Sequence, residues 1–482
     1  MHRHAHKRVP SARWSAVRAT SNDHVHAVTM DVLRHCPDSV AATVYLFNRS
    51  FVLDVVARVK AVAPDCRIIL GGPEFLGDNE AFLRSCPHVD AVIRGEGEKS
   101  FGDWLTALHT GDPVTEIAGL CCIDENSVYH DNGTATCPSA LALSASPLLS
   151  PFFDWSKPFV QLETSRGCPH HCSFCTSAET GPVRTASLQR IRQDLRAIRE
   201  HGIREVRVLD RTFNGSPSRG AKLLTLLMEE APNVRYHLEI HPEHLSGAFT
   251  AQLVTVPAGR LHLEVGLQTT SIAAQQAVRR GGSPEKAWEG VVFLCNLEKV
   301  EVHVDLLAAL PGQTLEWLKS DLNRLTLAGP DEIQLEVVKA LPGTGLRESA
   351  TAHGIVYAPS PPYDVLRTPQ MPPEDVTAAW NLSRVVDTFY NQPYLRPAVQ
   401  MAVAHCASFY TDFASCLEEH NCLRQPMSLR NRFLRFHAYA NKCMKWVADR
   451  LEYDWMKAGL SPQHGICNAD LWQQPIPADA GL

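Results

Sequence analysis

Apolar residues fall into two alternating kinds of run along the first 345 positions. Short runs rich in Val, Ile and Leu, such as 41–47 and 67–70, have the length and composition of buried strands. Between them lie longer segments with apolar positions three and four apart, such as 52–62, which favour amphipathic helices. Strands that alternate with helices predict a parallel sheet covered by helices. The chain is therefore expected to be an α/β protein.

The alternation is interrupted, and the interruptions divide the chain into units. Residues 1–22 are basic and His-rich without periodicity, and beyond about 346 the strand pattern gives way to amphipathic helical segments. The predicted units, in chain order, are a flexible arm (1–22), a doubly wound parallel sheet of Rossmann type (23–115), a linker with a small hairpin (116–158), a second α/β domain (159–345) and an α-helical C-terminal extension (346–482).

Six candidate strands follow residue 158 at regular spacing, with helical runs between them. Six βα units within about 185 residues match a partial (β/α)6 barrel of the TIM type. The strands are expected at 159–163, 205–210, 235–240, 261–266, 301–308 and 332–338.

Composition narrows the functional class. The chain has 482 residues, of which 45% are hydrophobic and 20% charged, as in ordinary globular proteins. The formal net charge of -6 excludes a globally basic nucleic-acid binder, so nucleic acid is not an expected partner. The longest apolar runs fall short of the ~20 residues that a spanning helix needs, and the N-terminus lacks the apolar core of a secretory signal. No membrane span and a cytoplasmic location are therefore expected.

The 15 cysteines are the unusual part of the composition. Their odd number in a long chain argues against a disulfide framework, and twelve of them are scattered and expected to be reduced. Cys168, Cys172 and Cys175 are different, because they follow the first predicted barrel strand directly. Barrel active sites are built on loops at this carboxyl end of the strands. These three residues are therefore the candidate metal ligands and catalytic residues.

Three clustered thiols point to a particular kind of metal centre. A closed structural site uses four ligands, and electron-transfer ferredoxins supply four cysteines per cluster. A 4Fe-4S cluster on three cysteines leaves one iron open to a small-molecule ligand, which is a catalytic feature. Two other interpretations stay open, namely a Cys3His zinc site that uses His170 or His171, and three core cysteines without a metal.

The cysteine spacing C-x3-C-x2-C, with Phe174 before the last cysteine, resembles the radical S-adenosylmethionine (SAM) superfamily. Residues 261–270 and 305–314 resemble the fourth- and fifth-strand segments of the branch that pairs this barrel with a cobalamin-binding domain. Residues 68–74 and 92–98 resemble the two signature turns of that domain, and 361–366 resembles one poorly characterised subfamily. The resemblance covers roughly residues 20–400.

The resemblance implies cofactors and a reaction class. A 4Fe-4S cluster on the three cysteines would cleave SAM to a 5′-deoxyadenosyl radical, with an external electron donor such as flavodoxin or ferredoxin. Cobalamin would be a further cofactor. The expected activity is cobalamin-dependent C-methylation, or a related radical transformation, of a small molecule.

The resemblance also implies cofactor-binding residues. Asp210 or Asn214 is expected to contact the SAM amino group, because 210–214 stands where many members carry Gly-Gly-Glu. Glu264 and Gln268, at a strand end, are expected to hold ribose or substrate. The further expected contacts are Ser165, Arg166 and Gly167 before the first cysteine, Phe174, the turn residues Pro311 and Gly312, and the cobalamin turns with Gly71, Gly72, Gly95, Glu96 and Gly97.

The chain departs from the family pattern at its start. A complete cobalamin-binding domain would have a strand and helix before residue 20, so this domain is expected to be shortened at its N-terminus. Two other functions stay open, namely an RNA-modifying radical enzyme of the methylthiotransferase type and a non-catalytic iron-sulfur or zinc sensor. The Arg- and Trp-rich C-terminal helices could cover the barrel mouth or form a solvated basic face.

Overall fold

The first sheet has five strands and includes part of the predicted linker. The computed structural model describes residues 1–135, 146–178, 181–245, 247–461 and 466. The strands are β1 (Ser39–Thr43), β2 (Arg67–Gly71), β3 (Ala91–Ile93), β4 (Leu120–Ile123) and β5 (Tyr129–Asp131), adjacent in that order. β1, β2 and β3 are parallel, and the β4–β5 hairpin adds to β3 in antiparallel fashion. Residues 136–145 of the predicted linker lie outside the described residues.

Helices cover both faces of this sheet, as predicted for a doubly wound fold. They are α1 (His2–Ala5), α2 (Val25–Leu33), α3 (Arg49–Val62), α4 (Glu80–Ser85) and α5 (Gly97–Thr110). Ile68 and Leu70 belong to the core under α2, α3 and α4. Ile69, between them in sequence, belongs to a second core with Phe101 and Trp104 of α5. This alternation is the period of two that sends successive side chains of a strand to opposite faces.

The predicted flexible arm is packed against the first sheet domain. Ala5 of α1 is buried in the same core as α5, and Arg8 forms an ion pair with Asp103 of that helix. The His2 ring packs edge-on against Trp14, with centroids 5.0 Å apart. The arm was predicted to be loose because its apolar residues follow no helical or strand period. Before Ser39, the described residues contain helices and no strand.

The second sheet matches the predicted partial barrel closely. The strands in this part of the chain are β6 (Phe159–Leu162), β7 (Ser165–Arg166), β8 (Arg184–Thr185), β9 (Glu205–Val208), β10 (Arg235–Ile240), β11 (Leu261–Gln268), β12 (Glu301–Ala308) and β13 (Glu332–Val337). Six of them form a parallel sheet in the order β6, β9, β10, β11, β12, β13. β6 and β13 are its two edges within the described residues, so the barrel is open. The short strands β7 and β8 form a separate hairpin.

Helices on the outside of the barrel follow the strands. They are α6 (Leu188–Glu200), α7 (Pro217–Glu230), α8 (Gly247–Leu253), α9 (Ile272–Ala277), α10 (Pro284–Cys295), α11 (Leu315–Ala328) and α12 (Gly345–Glu348). Side chains of the barrel strands alternate accordingly. Leu263 and Val265 of β11 are fully buried under the helices, whereas Glu264 between them faces the barrel interior beside His237.

The C-terminal extension is helical and shares one hydrophobic core with the barrel. A small hairpin of β14 (Val356–Tyr357) and β15 (Val365–Arg367) precedes α13 (Pro373–Val385), a π-helical turn (Val386–Tyr390), α14 (Arg396–His405), α15 (Phe409–Glu419), α16 (Leu429–Cys443) and α17 (Lys445–Lys457). The Tyr410 hydroxyl lies 2.8 Å from the Thr326 hydroxyl of α11, so these helices pack on the outer side of the barrel. Arg435 and Trp455 are buried, whereas Arg430 and Trp446 are exposed, so they do not form one basic face.

Asn391 pairs with the backbone of one residue on the outer edge of the barrel strand β13. Its Oδ1 accepts a hydrogen bond from the Ile333 N–H at 2.9 Å, and its Nδ2 donates to the Ile333 carbonyl at 3.0 Å. This pairing imitates a neighbouring strand at one residue, and unpaired strand edges otherwise favour association with other chains.

In the part of the chain that the structure describes, no helix is long and apolar enough to cross a membrane.

Candidate functional site

The three clustered cysteines lie on one loop that a small hairpin closes. β6 ends at Leu162, and β7 and β8 then pair antiparallel with Arg166 opposite Arg184. Gly167 begins the loop with φ of +97°, and a Cβ atom there would lie 3.3 Å from the Pro182 carbonyl. Glycine is the residue that adopts this conformation without strain. The cysteine loop therefore begins at the carboxyl end of the first barrel strand, where the hairpin and Gly167 fix its backbone.

The thiols have surroundings that suit thiolate ligands. Cys172 is 5% exposed, and burial raises the pKa of its thiol, while Arg280, with Nη1 3.8 Å from the sulfur, opposes that shift. The Ser177 N–H donates to Cys175 Sγ at 3.4 Å, and Cys168 Sγ lies 3.5 Å from the Thr212 hydroxyl. Nearby cations and N–H donors stabilise cysteine sulfurs that bind metal.

The histidines beside the cysteines have other partners, which disfavours the zinc interpretation. His171 Nδ1 lies 3.1 Å from the Ala178 carbonyl. The His170 ring stacks on His241 with centroids 4.4 Å apart and packs against His244 as well. Among the described residues, the group of three possible metal-ligand atoms within 4.8 Å of one another comes from His170, His241 and His244 and contains no thiol. A Cys3His site would need the thiols themselves this close, because zinc–sulfur bonds are about 2.3 Å long.

Asp210 and Asn214, the residues expected at the SAM amino group, are both engaged in hydrogen bonds inside the protein. Asp210 is 2% exposed and accepts hydrogen bonds from the backbone and hydroxyl groups of Thr164 and Ser165, at 2.8 and 2.9 Å for the two N–H groups. Burial raises the pKa of its carboxyl, against the effect of these bonds. Asn214 is fully buried and bonds the backbone of His241 in both directions. Both residues instead support the loops around the cysteines, as does the Ser165 hydroxyl.

Glu264 faces the barrel interior in a group of acids and imidazoles. The His237 Nε2 atom lies 2.6 Å from Glu264 Oε2. This hydrogen bond lowers the pKa of the Glu264 carboxyl, and its effect is larger than the opposing effect of burial. Asp305 on the next strand is half-buried, and loss of water around its carboxyl, then the charges of Glu264 and Glu239, raise its pKa well above the usual value. The interior face of the barrel strands is therefore polar, and Asp305 and Glu239 are residues of this face that the sequence reasoning missed.

The remaining predicted barrel residues are described by their backbone conformation or by their packing in the core. Gln268 has φ of +68° and follows a β-bulge between β11 and β12. Gly312, next to Pro311, has φ of +79°, and its N–H donates to Gln370 Oε1 at 3.1 Å. Phe174 packs against the barrel core. These positions shape turns at the carboxyl end of the barrel.

The predicted cobalamin turns use their glycines for contacts within the protein. At Gly72, with φ of +112°, a Cβ atom would lie 2.5 Å from the Val44 carbonyl, and at Gly95, with φ of +90°, one would lie 2.5 Å from the Ala135 carbonyl. The close approach that the sequence predicted for a ligand is thus made by the chain itself. Gly97 would bring a Cβ atom to 3.2 Å from Met1 Sδ, whereas at Gly71 the nearest atoms would be 3.9 Å away.

We expect Gly95→Ala to lower the free energy of unfolding by about 1 to 3 kcal/mol more than Gly111→Ala does. The added methyl group at position 95 would clash with the Ala135 carbonyl. Gly111 has a similar φ of +79°, but a Cβ atom there would meet nothing within 4 Å, so both variants share the cost of the left-handed backbone. Denaturant unfolding of the two variants measures the difference. Equal losses would show that the Ala135 carbonyl moves aside easily.

Glu96 and Arg166 belong to an ion cluster that joins the two α/β domains. We define the interdomain ion cluster as Glu96, Glu98, Glu163, Arg166 and Arg184. Arg184 binds Glu96 with both terminal nitrogens, one of them at 2.8 Å from Oε2. Arg166 Nη2 lies 2.8 Å from Glu98 Oε1, and its Nε lies 2.7 Å from Glu163 Oε1. Burial disfavours the charge of Arg166, but the bonds to Glu163 and Glu98 outweigh it and raise the pKa.

Several site residues escaped the sequence reasoning because their partners are far along the chain. Arg280 approaches Cys172 across more than a hundred residues of sequence, and Arg184 reaches Glu96 across 88.

Tyr45 and Phe47 form an aromatic pair directly after β1. The apolar run predicts that they belong to this strand, but β1 ends at Thr43. Their rings stack 5.3 Å apart, and Phe47 is 71% exposed. The signal that could have identified them as an exposed pair is the presence of two aromatic residues at the end of a short apolar run.

Stability should fall in acid because of His241. This side chain is 5% exposed, and burial, then Arg280 and the neighbouring histidines, lowers its pKa to about 2. An unfolded histidine takes up a proton near pH 6.5, so the stability present above that pH is lost as pH falls. We expect a loss of about 2 kcal/mol between pH 7 and pH 5 from this residue.

His241→Gln should remove this part of the pH dependence, and the exposed His353→Gln should keep it. Denaturant unfolding of the metal-free protein at pH 5 and pH 7 measures both variants. Identical pH dependence in His241→Gln and the unmodified protein would contradict the assignment.

Three family models match the chain. The radical SAM superfamily model matches residues 162–325, the B12 binding domain model matches 17–104, and a protein family of unknown function, DUF4080, matches 351–464. The first covers the cysteine loop and the barrel strands up to β12, and the second covers both glycine turns.

Individual proteins give the same picture. The chain is 24% identical over 378 residues to the uncharacterized methyltransferase PH0819 of Pyrococcus horikoshii, covering 75% of this chain and 80% of that protein. It is 22% identical over 442 residues to the cobalamin-dependent radical SAM methyltransferase TokK of Streptomyces tokunonensis, covering 83% of this chain and 64% of that protein.

A solved structure extends the likeness to nearly the whole fold. The cobalamin-dependent S-adenosylmethionine radical enzyme OxsB, with aqua-cobalamin and S-adenosylmethionine bound, superposes on 95% of this chain and 78% of its own, with a TM-score of 0.60 and 13% identity. Two of the matched families are those that the cysteine spacing and the glycine turns predicted. The chain belongs to the radical SAM superfamily, in the branch whose barrel follows a B12-binding domain.

Proposed function

We propose that the protein is a cobalamin-dependent radical SAM methyltransferase that acts on a small molecule. The observation that carries the proposal is the cysteine loop, whose closing hairpin contacts the second glycine turn of the B12-binding domain through the interdomain ion cluster. This contact supports the proposal, because it joins the cysteine loop to a turn of the B12-binding domain. The names of the relatives PH0819 and TokK support methyl transfer as the reaction class.

Cys168, Cys172 and Cys175 would hold a 4Fe-4S cluster. They fit this group because all three come from one loop and have donors beside their sulfurs, and because, among the described residues, no thiol belongs to a group of three ligand atoms as compact as a single zinc ion needs. When bound, the cluster with SAM supplies a 5′-deoxyadenosyl radical, and methylcobalamin supplies a methyl group. Arg280, beside Cys172, would offset the negative charge of the thiolates and could hold a carboxylate at the open side of the cluster.

Tyr45 and Phe47 fit cobalamin at the carboxyl edge of the first sheet. A doubly wound sheet binds its ligands at this edge, and the exposed stacked pair offers a flat apolar surface to a macrocycle. Gly71 on the neighbouring strand leaves room for close approach. The two cofactors would then lie on the two sides of the gap that the ion cluster bridges.

The barrel interior supplies the substrate chamber. Glu264 and Asp305 lie on adjacent strands and could orient polar groups of SAM or substrate by hydrogen bonds. Burial and the neighbouring carboxylates raise the pKa of Asp305, which favours its protonated form more than in an exposed aspartate. An external electron donor such as flavodoxin or ferredoxin would supply the reducing electron.

Anaerobic purification followed by reconstitution with iron and sulfide tests the proposal. We expect a 4Fe-4S absorbance, corrin absorbance that survives gel filtration after incubation with cobalamin, and 5′-deoxyadenosine after addition of SAM and a reductant. Absence of 5′-deoxyadenosine from cluster-loaded protein would contradict the radical SAM activity. Formation of 5′-deoxyadenosine without corrin retention would contradict the methyltransferase proposal alone.

A further inference from the structure

The interdomain ion cluster is built more tightly than an ordinary surface ion pair. The side chains of Arg184 and Glu96 are 9% and 15% exposed, and the other three members are a quarter exposed or less. Arg184 binds Glu96 through two nitrogens, the geometry that gives arginine–carboxylate pairs their directionality. Exposed pairs are typically worth little, whereas breaking a partly buried two-point contact leaves a charge without compensation.

The cluster holds a defined part of each domain. Arg166 and Arg184 are opposite each other in the β7–β8 hairpin, which closes the base of the cysteine loop. Glu96 and Glu98 lie at the start of α5, directly after β3. The Glu96 N–H also donates to the Ala135 carbonyl at 3.1 Å, so the carboxylates are presented by a fixed backbone. The ion pairs therefore join this turn to both strands of the hairpin below the cysteines.

A second contact joins the domains at the other glycine turn. The Tyr363 hydroxyl, after the barrel, donates to Glu74 Oε2 at 2.8 Å, and Arg49 Nε lies 3.4 Å from the same oxygen. The two contacts lie at different glycine turns of the first domain. The Glu96 contact is the one that adjoins the cysteine loop.

We propose that Glu96, through Arg184 and Arg166, is a positioning residue that sets the separation between the cysteine loop and the cobalamin edge of the first sheet. Its side chain is directed at the two arginines, so it acts through them and not by touching a cofactor. This rests on the proposed function, because the separation matters only when both cofactors bind. A misplacement of about 1 Å can cost a hundredfold in rate, which gives such a contact its importance.

Glu96→Gln in the full-length protein tests the proposal, since it keeps the size of the side chain and removes its charge. We expect amide hydrogen exchange in the peptide spanning 160–168 to rise at least tenfold in the cofactor-free protein. In protein loaded with cob(II)alamin and the reduced cluster, we expect the same cofactor content but a weaker magnetic dipolar interaction between the two paramagnets. Arg184→Lys, which keeps the charge, should restore part of that interaction relative to Arg184→Met.

Glu230→Gln is the matched control. Glu230 accepts from Arg192 and Arg196, so it is also a carboxylate between two arginines, but all three lie within the barrel domain. We expect this variant to change neither measurement. An unchanged dipolar interaction in Glu96→Gln would overturn the positioning role even if exchange increases, since a merely structural contact would raise exchange alone. Failure of the unmodified protein to bind corrin would contradict the proposed function, and unchanged exchange would then separately overturn the hairpin contact.

Discussion

Replacing Cys168 by alanine should abolish both the 4Fe-4S absorbance and the formation of 5′-deoxyadenosine. The loop supplies three thiols, and two cannot hold a cluster that needs three protein ligands to leave one iron open. The same result is expected for Cys172 and Cys175. Anaerobic reconstitution, followed by measurement of iron, sulfide and 5′-deoxyadenosine, gives the comparison.

Cys443→Ala is the matched control for this prediction. Cys443 is an exposed free cysteine at the end of α16, far from the loop in sequence, and alanine is favourable in a helix. Its cluster content should equal that of the unmodified protein. A Cys168→Ala protein that still makes 5′-deoxyadenosine would show that the cluster is held elsewhere.

Replacing Asp210 by alanine should lower the free energy of unfolding by roughly 3 to 5 kcal/mol. The change leaves the buried N–H groups of Thr164 and Ser165 without acceptors and removes the negative charge nearest to the half-buried Arg219. Denaturant unfolding measures the loss. Because these residues lead into the cysteine loop, we also expect cluster loading to fall.

Asp321→Ala separates the two effects of that change. Asp321 is a buried carboxylate that accepts from Thr269 and Thr270 at the end of β11, as Asp210 does near β6. We expect a comparable loss of stability but normal cluster loading below the unfolding transition. Equal loading in both variants would limit Asp210 to a role in stability. Asp210→Asn keeps one acceptor oxygen and should lose less stability than Asp210→Ala.

Local patterns predicted the sheets and the cysteine loop well. The six barrel strands were expected within a few residues of their observed bounds, because apolar runs and helical periods are properties of short windows. The position of Cys168 after β6 followed from adjacency in sequence. The hairpin of β4 and β5 was also expected, but its pairing with β3 was not, since register between strands depends on contacts that a window does not contain.

Side-chain partners could not be predicted in the same way. Asp210 occupies the position of a cofactor contact in the family pattern, yet its oxygens accept hydrogen bonds from Thr164 and Ser165, which lie 46 and 45 residues earlier. Gly95 was expected to face a ligand and instead meets the Ala135 carbonyl. In each case the residue type was informative about conformation or charge, but the partner was set by the tertiary fold.

The Asn391 side chain that pairs with β13 has a consequence for how the chain folds during synthesis. The barrel sequence is complete once residue 345 has emerged, but the residue that satisfies the edge at Ile333 comes about 50 residues after β13, a delay of roughly 3 to 10 s at ordinary translation rates. During that interval the nascent barrel carries an unpaired strand edge, the kind of surface that chaperones protect and that drives aggregation. Aggregation on expression should therefore be most severe for chains that stop between the barrel and residue 391.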